Sequence, residues 1–116
     1  MAILLGNRIE FPLLLFAAAH EGLVTVLLST RQQKPEIAYV LADCGAKILI
    51  HEAGLTGRLP DALDVPAVIH RIAVDSNQAL SRFAVLADNV PASAPVEIGE
   101  EDTAICLLYT SDAADE

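Results

Sequence analysis

The side chains in this sequence that could do chemistry are scattered along the chain. His20, His51 and His70 have no partner at the spacing of metal ligands or of a catalytic pair. Cys44 and Cys106 are too few for a disulfide framework or a zinc motif. We therefore predict no catalytic residue and no metal site. The histidines are expected to be surface or partly buried imidazoles. A reduced, cytoplasmic setting is the default for a chain with two such cysteines, and no signal peptide is visible.

The remaining polar residues are best explained by loops and helix ends. Gly6-Asn7 follows the first apolar run but lacks the G-x-G-x-x-G spacing of a dinucleotide turn, so we interpret Asn7 as a helix cap. Cys44 lies on the apolar stripe of a predicted helix and is expected to be a packed core thiol. Solvated loop, turn or strand-end positions are expected for Arg31, Asp61, Asp64, Asp75, Glu100, Glu101 and Asp102.

The apolar pattern that would position these residues alternates short strands with helices. A helix is predicted to stop at Gly22, and Pro12 leaves two starts open: the helix begins near Glu10, or it bends at the proline. A second helix is predicted from Pro35 to Gly45. Strands are predicted at 2–5, 23–28, 47–50, 71–75 and 103–109, a helical turn at 59–63, a short helix at 79–87 and a linker at 91–95.

Strands joined through helices by short connections are typical of a parallel, doubly wound sheet. The run 23–28 is apolar on both faces, as expected for a strand that is covered on both sides. The sequence therefore predicts an α/β fold, in which three layers form around a mostly parallel sheet.

Composition excludes several classes of partner. The chain has 116 residues, the size of one small domain, and 53% of them are apolar. Its net charge of −9, with only seven scattered basic residues, disfavours nucleic acid and anionic membranes. The longest apolar stretch, 11–19, is shorter than the roughly 20 residues that a membrane span requires. We predict a protein without a membrane span or a nucleic-acid partner.

Four segments, in their order and spacing, resemble the AMP-binding (adenylate-forming) enzymes, and in particular acyl-CoA synthetases. The resemblance is carried by residues 2–11, by 27–31 followed by 35–50, and by 101–111, which approaches that family's phosphate loop. It implies that the chain is the front part of the large N-terminal domain of such an enzyme. The parent would use ATP, Mg²⁺ and coenzyme A to form an acyl-adenylate from a carboxylic acid and pass the acyl group to the thiol.

The same resemblance points to Thr110 and Ser111 as the start of the phosphate loop. In the family this loop continues with glycines, hydroxyl residues and a basic residue, because backbone amides and a cation must surround the phosphate oxygens. Here Ser111 is followed by Asp112-Ala113-Ala114-Asp115-Glu116, whose carboxylates would repel phosphate. We therefore expect the 116-residue chain to have no activity of its own.

The end of the chain also resembles the in-frame translation of a transposase-end sequencing adapter. This resemblance covers residues 106–116, so the chain divides into a partial AMP-binding domain, 1–105, and an adapter-like tail, 106–116. A native and a foreign origin both remain open for residues 106–111, whereas 112–116 are interpreted as foreign.

The alternative hypothesis is a stand-alone doubly wound module that binds a nucleotide or another small molecule. The two hypotheses differ in stability. If the chain is the front part of a larger domain, on the order of 400 Å² of apolar sheet surface stays in contact with water. Burial of this area would contribute roughly 10 kcal/mol, which is as large as the net stability of a whole domain. The front part should aggregate or stay molten, whereas the stand-alone module should melt cooperatively as a monomer.

The adapter hypothesis makes a prediction about the nucleotides under codons 106–116. We expect them to match adapter sequence, and we expect the uninterrupted genomic reading frame to continue past Ile105 with Gly-Thr-Thr-Gly and a lysine. Sequencing that locus checks both statements, and codons incompatible with the adapter would refute the artefact. The product of the uninterrupted frame is called the full-length polypeptide below.

Overall fold

The computed structural model describes residues 1–75, 94 and 96–107, which form one parallel sheet with helices on both faces. Each strand pairs only with parallel neighbours, in the order β4-β3-β1-β2-β5. The strands are β1 (Ala2–Leu4), β2 (Thr25–Leu27), β3 (Ile48–Glu52), β4 (His70–Val74) and β5 (Ile105–Cys106). The helices are α1 (Glu10–His20), α2 (Lys34–Cys44) and a 3₁₀ helix, Ala53–Arg58.

Helix α2 forms as its sequence predicts. Pro35 lies in the first turn, and the Gln33 amide donates to Glu36 Oε1 at 3.2 Å, which satisfies a backbone donor at the helix start. At the other end Gly45 adopts a φ of 63°, a left-handed conformation that glycine reaches at little cost. The stripe between these ends packs on the sheet through the buried residues Ile37, Val40 and Leu41.

Helix α1 begins at Glu10, so the first of the two starts left open by Pro12 is confirmed. Pro12 then falls in the first turn, where a backbone N–H has no partner within the helix, and its missing donor costs nothing. The prediction that Asn7 caps this helix is wrong. The residue that precedes the helix is Ile9, which makes no side-chain cap.

The second half of the chain departs from the prediction mainly at the boundaries of its elements. A hydrogen-bonded turn lies close to the predicted 59–63, because the Asp64 amide donates to the Asp61 carbonyl at 2.9 Å. The last strand, β5, begins at Ile105, two residues after the predicted start. The 3₁₀ helix lies before these elements and ends at Arg58. The Thr56 hydroxyl donates to the Ala53 carbonyl at 2.7 Å inside this helix. The strand predicted at 71–75 is confirmed as β4, which begins and ends one residue earlier, at His70 and Val74. The predicted helix 79–87, most of the linker 91–95 and the end of the last strand, 108–109, lie outside the described residues.

Alternation of side chains along the strands divides the core between the two faces of the sheet. On one face α2 covers a cluster that includes Ala2, Leu4, Val26, Leu28 and Leu49. On the other face Phe11, Leu14 and Leu15 of α1 pack on a smaller cluster formed by Ile3, Leu5, Ile50, Ile72 and Val74. Because α1 and α2 lie on opposite faces, the three-layer, doubly wound α/β fold is confirmed.

Helix α1 also carries apolar side chains on the side that faces away from the sheet. Ile9 is 80% exposed, Leu13 58% and Phe16 77%. These three residues, with the exposed Pro12, are called the outer face of α1. The described residues do not cover this surface, so most of it is exposed to solvent.

The exposed outer face leads us to expect that the isolated 116-residue chain does not form a tightly packed monomer. Purified chain should bind the dye ANS and lose its circular dichroism gradually on heating, because apolar surface stays wet. Replacing two outer-face residues, Leu13→Gln with Phe16→Gln, should lower the dye fluorescence by roughly twofold or more.

The matched control is Leu63→Gln, which removes a leucine that is 93% exposed in a loop. Its dye fluorescence should stay at the level of the unmodified chain. A sharp cooperative melt of a monomeric chain would contradict the expectation and favour a stand-alone module.

Candidate functional site

Ligands of open doubly wound sheets bind beyond the carboxyl ends of the strands, where neighbouring connections lead to opposite faces. Here β1 lies between β2 and β3: the chain leaves β1 toward β2 on one side and leaves β3 toward β4 on the other. The switch point is therefore the crevice between the loops that follow β1 and β3. In open sheets of this kind a ligand binds at this position.

The chain's own carboxylate occupies this crevice. Glu52, the last residue of β3, accepts a hydrogen bond from the Gly6 amide at 2.7 Å through Oε1. A Cβ added to Gly6 would lie 3.1 Å from the same oxygen, so the glycine permits the close approach. The backbone donor that could have met an anionic ligand is therefore already used within the chain.

A cation beside the crevice is also paired within the chain. Arg8 Nε lies 2.7 Å from Glu10 Oε1, and Arg8 NH1 lies 3.2 Å from Asp75 Oδ2. Hydrogen bonds to Glu10 and then to Asp75 raise the pKa of Arg8 above its ordinary value, so the guanidinium stays charged. Asp75 has a φ of 64°, a conformation that aspartate tolerates better than most residues. This ion-paired group ties the loop after β1 to the end of β4.

The described residues at this crevice do not fit a nucleoside triphosphate. Such a ligand needs free backbone donors and an uncommitted cation, whereas the Gly6 amide binds Glu52 and Arg8 is flanked by two acids. In the described part of the chain no three His, Cys, Asp or Glu side chains come together to hold a metal ion. We derive no chemical step at this crevice.

The other part of the carboxyl edge lies where β2 ends beside β5. Residues 29–32 form a turn there, in which the Ser29 amide donates to Gln32 Oε1 at 3.1 Å and the Arg31 amide donates to Ser29 Oγ at 3.2 Å. Arg31 is exposed, as predicted for a solvated loop residue. Because β5 is parallel to β2, the chain leaves β5 at this same edge. Thr110 and Ser111 lie outside the described residues.

The opposite edge of the sheet carries an open cleft of about 610 Å³. It is lined by residues at the amino ends of β1, β2 and β3 and by the end of α2, including Cys44 and Cys106. The Met1 ammonium donates to the Val24 carbonyl at 2.9 Å, and burial lowers the pKa of that ammonium. The lining is mainly apolar and lies away from the carboxyl edge where such folds bind ligands, so we do not assign the cleft to the candidate site.

The histidines do not come together in the structure. His20 is exposed at the end of α1, and His70 is partly exposed at the start of β4. His51 is only 4% exposed, so the prediction of a surface or partly buried imidazole is wrong for this residue. It is buried because β3 lies between β1 and β4; His51 Nδ1 lies 2.8 Å from the Glu52 carbonyl oxygen, to which it can donate.

Most of the other predicted roles are confirmed. Cys44 is half-buried against the α2-side core, with Sγ 3.8 Å from the Leu41 carbonyl oxygen. The predicted loop, turn and strand-end acids are exposed: Asp61, Asp64, Asp75, Glu100, Glu101 and Asp102. Sequence reasoning missed the contacts of Glu52 with Gly6 and of Arg8 with Asp75. Two features of the sequence could have indicated the first contact: Glu52 is an acid at the end of a buried strand, and Gly6 follows another buried strand.

Fold and crevice together define a doubly wound α/β domain whose central switch point is closed by the chain's own side chains. A sequence profile described as AMP-binding enzyme matches residues 1–111. Because this match covers nearly the whole chain, the chain belongs to the AMP-binding enzyme family.

Individual relatives agree with this assignment. The long-chain-fatty-acid–CoA ligase FadD13 of Mycobacterium tuberculosis is 34% identical over 96% of this chain, which spans only 22% of the relative's length. The crystal structure of the N-terminal domain of FACL13 from M. tuberculosis, with inhibitor bound, superposes with a TM-score of 0.75 at 31% identity, covering 90% of this chain and 26% of that one. The long-chain-fatty-acid-CoA ligase FadD1 of Archaeoglobus fulgidus shares the fold, with a TM-score of 0.81 at 18% identity, over 95% of this chain and 22% of that one.

The contact between Glu52 and Gly6 generates a prediction for the full-length polypeptide. In the Glu52→Ala variant the Gly6 amide loses a charge-assisted hydrogen bond worth about 1.5–3 kcal/mol, so its hydrogen exchange should accelerate roughly 10- to 100-fold. Hydrogen-exchange mass spectrometry of a peptide that contains residue 6 measures this rate.

Two variants serve as controls. Glu52→Gln keeps an oxygen acceptor and should give a smaller acceleration. Asp61→Ala removes an exposed loop acid and should leave the rate unchanged. A wild-type rate at Gly6 in the Glu52→Ala variant would show that the carboxylate does not close the crevice.

Proposed function

We propose that the chain is the front part of an adenylate-forming enzyme that ligates a carboxylic acid to coenzyme A. The observation that carries this proposal is the AMP-binding family match over residues 1–111. It is supported by 34% identity, across 96% of the chain, to a protein named as a fatty-acid–CoA ligase.

The proposed reaction has two steps. The substrate carboxylate attacks the α-phosphate of ATP, which forms an acyl-adenylate and releases pyrophosphate with the assistance of Mg²⁺. The thiol of coenzyme A then attacks the acyl carbon and releases AMP. The described residues take no part in these bond changes; they build the sheet from which later segments of the full-length polypeptide continue. The 116-residue chain alone is proposed to be inactive.

Thr110 and Ser111 are proposed as the start of the phosphate loop. The parallel pairing of β5 with β2 directs the chain toward the carboxyl edge of the sheet, the side on which ligands of such folds bind. Hydroxyl side chains at that position would donate to phosphate oxygens. Residues 1–105 are assigned to the partial enzyme domain, and residues 106–116 to the adapter-like tail, which overlaps the approach to the phosphate loop.

A cytoplasmic location is proposed on chemical grounds. Cys44 and Cys106 are both free thiols, which suits a reducing compartment, and ATP and coenzyme A are the proposed co-substrates. The part of the chain that the structure describes contains no helix long and apolar enough to cross a membrane.

Carboxylate-dependent exchange of labelled pyrophosphate into ATP tests the proposal. The full-length polypeptide should catalyse this exchange with Mg²⁺ and at least one member of a series of carboxylic acids of increasing chain length. It should then form the corresponding thioester with coenzyme A. Under the same conditions the 116-residue chain should show no exchange. A folded full-length polypeptide that exchanges no pyrophosphate with any acid in the series would refute the ligase function.

Variants at the proposed loop refine the test. If the genomic frame encodes Thr110 and Ser111, then Thr110→Ala or Ser111→Ala in the full-length polypeptide should lower kcat/KM for ATP by roughly tenfold or more, because each removes a hydroxyl donor to phosphate. Thr103→Ala, which removes an exposed hydroxyl before β5, should leave the rate unchanged. If both loop variants keep the wild-type rate, Thr110 and Ser111 do not belong to the phosphate site.

A further inference from the structure

The connection between β3 and β4 covers the α2 face of the sheet with little secondary structure of its own. After the 3₁₀ helix, residues 59–69 run back across this face toward the start of β3, where the Ile69 amide donates to the Lys47 carbonyl at 2.9 Å. Three of their side chains are buried in the core cluster on this face: Leu59, Val65 and Val68. Residues 59–69 are called the covering segment.

An arginine of the sheet holds the covering segment through a polar contact. Arg71 Nη1 donates to the Pro60 carbonyl at 2.6 Å. The neighbouring Nη2 is enclosed by protein, and among the described residues it is the one buried side-chain nitrogen or oxygen without a hydrogen-bond partner. An enclosed guanidinium N–H without an acceptor is costly, because the group lost its hydration on folding. The structure therefore indicates that an acceptor belongs beside Nη2.

The register of the sheet places a second buried polar side chain next to Arg71. Arg71 pairs with Leu49, and His51 lies two residues further along β3, so His51 and Arg71 are diagonal neighbours on one face. Leu49 belongs to the cluster on the α2 face, so both side chains lie on the face that the covering segment covers. A diagonal neighbour on an adjacent strand is within reach of a long side chain.

The two side chains offer complementary hydrogen-bonding groups. His51 is only 4% exposed, and its Nδ1 lies 2.8 Å from the Glu52 carbonyl oxygen, so this nitrogen is assigned the proton. In that tautomer Nε2 has a lone pair that accepts a hydrogen bond. Arg71 Nη2 is a donor, but it makes no direct bond to the imidazole. A water molecule satisfies both groups, because it accepts from one and donates to the other.

We propose that one buried water molecule bridges Arg71 Nη2 and His51 Nε2 beneath the covering segment. Its second hydrogen is donated to the Pro60 carbonyl, which has a lone pair besides the one that Arg71 Nη1 occupies. With this third contact the water has the usual number of hydrogen bonds for a buried water. The bridge joins β3, β4 and the covering segment, so Arg71 and His51 are positioning residues for that segment.

An anion is the other occupant that a guanidinium commonly binds. An anion accepts from Arg71 Nη2, but it has no hydrogen to donate to His51 Nε2 or to the Pro60 carbonyl. Water makes all three contacts. The donors and acceptors at this site therefore favour water.

A crystal structure of the full-length polypeptide, at a resolution that shows ordered water, tests the site directly. A water should lie within about 3.2 Å of both Arg71 Nη2 and His51 Nε2. Crystals soaked in sodium bromide should show no anomalous signal at this position. An anomalous peak there would assign the site to an anion, and a direct contact between the two side chains would leave no place for water. Either result would overturn the proposal.

Hydrogen exchange of the covering segment tests the bridge in solution, again in the full-length polypeptide. Arg71→Met removes the donors with little change in volume and should accelerate exchange in a peptide from residues 61–69 by roughly fivefold or more. His51→Leu removes the acceptor and should also accelerate exchange. His51→Gln keeps an acceptor and should stay closer to the wild-type rate. As the matched control, Lys47→Met removes an exposed cation just before β3 and should leave the rate unchanged.

A double variant distinguishes the bridge from two independent contacts. Because the water needs both groups, Arg71→Met combined with His51→Leu should accelerate exchange by roughly threefold less than the product of the two single effects. Effects that multiply would show that the side chains act independently and would contradict the bridge. The crystallographic test needs no substitution, so it decides the question even where a variant does not fold.

Discussion

A parallel sheet must be covered on both faces, and this constraint governs the structure of the chain. Every described strand pairs in parallel, and the described helices α1 and α2 lie on opposite faces of the sheet. On one face α2 and the segment after β3 cover a large cluster that extends to Leu59, Val65 and Val68. On the other face α1 covers a smaller cluster and itself remains apolar toward solvent. The exposed outer face of α1 therefore links the fold to the expected solution behaviour of the isolated chain.

The central crevice shows how a fold that commonly binds nucleotides can have its switch point closed. The topology places the loops after β1 and β3 side by side, but a carboxylate from Glu52 meets the Gly6 amide there. Arg8 is paired on both sides by Glu10 and Asp75. These contacts join the loop after β1 to the ends of β3 and β4, and an anionic ligand would have to displace three acids, Glu52, Glu10 and Asp75. Phosphate chemistry is therefore proposed for the loop beyond β5.

Local signals in the sequence predicted the elements that depend on neighbouring residues. Pro35 and Gly45 mark the ends of α2, because each acts through its own backbone conformation. Asn7 was misread as a cap, because side-chain type alone does not fix where the first helical turn begins. His51 was expected to be more exposed, because its burial follows from the position of β3 within the sheet.

The sequence by itself determined the class of fold and the family resemblance, since both depend on the order and spacing of apolar runs. It also shows that residues 112–116 include three acids and neither a glycine nor a basic residue. Only the tertiary structure decided that Glu52 reaches Gly6 and that Arg8 reaches Asp75, because these pairs are 46 and 67 residues apart along the chain. The same holds for the outer face of α1: the sequence shows a helix that is apolar all round, but only packing against the sheet divides it into a covered side and an exposed one.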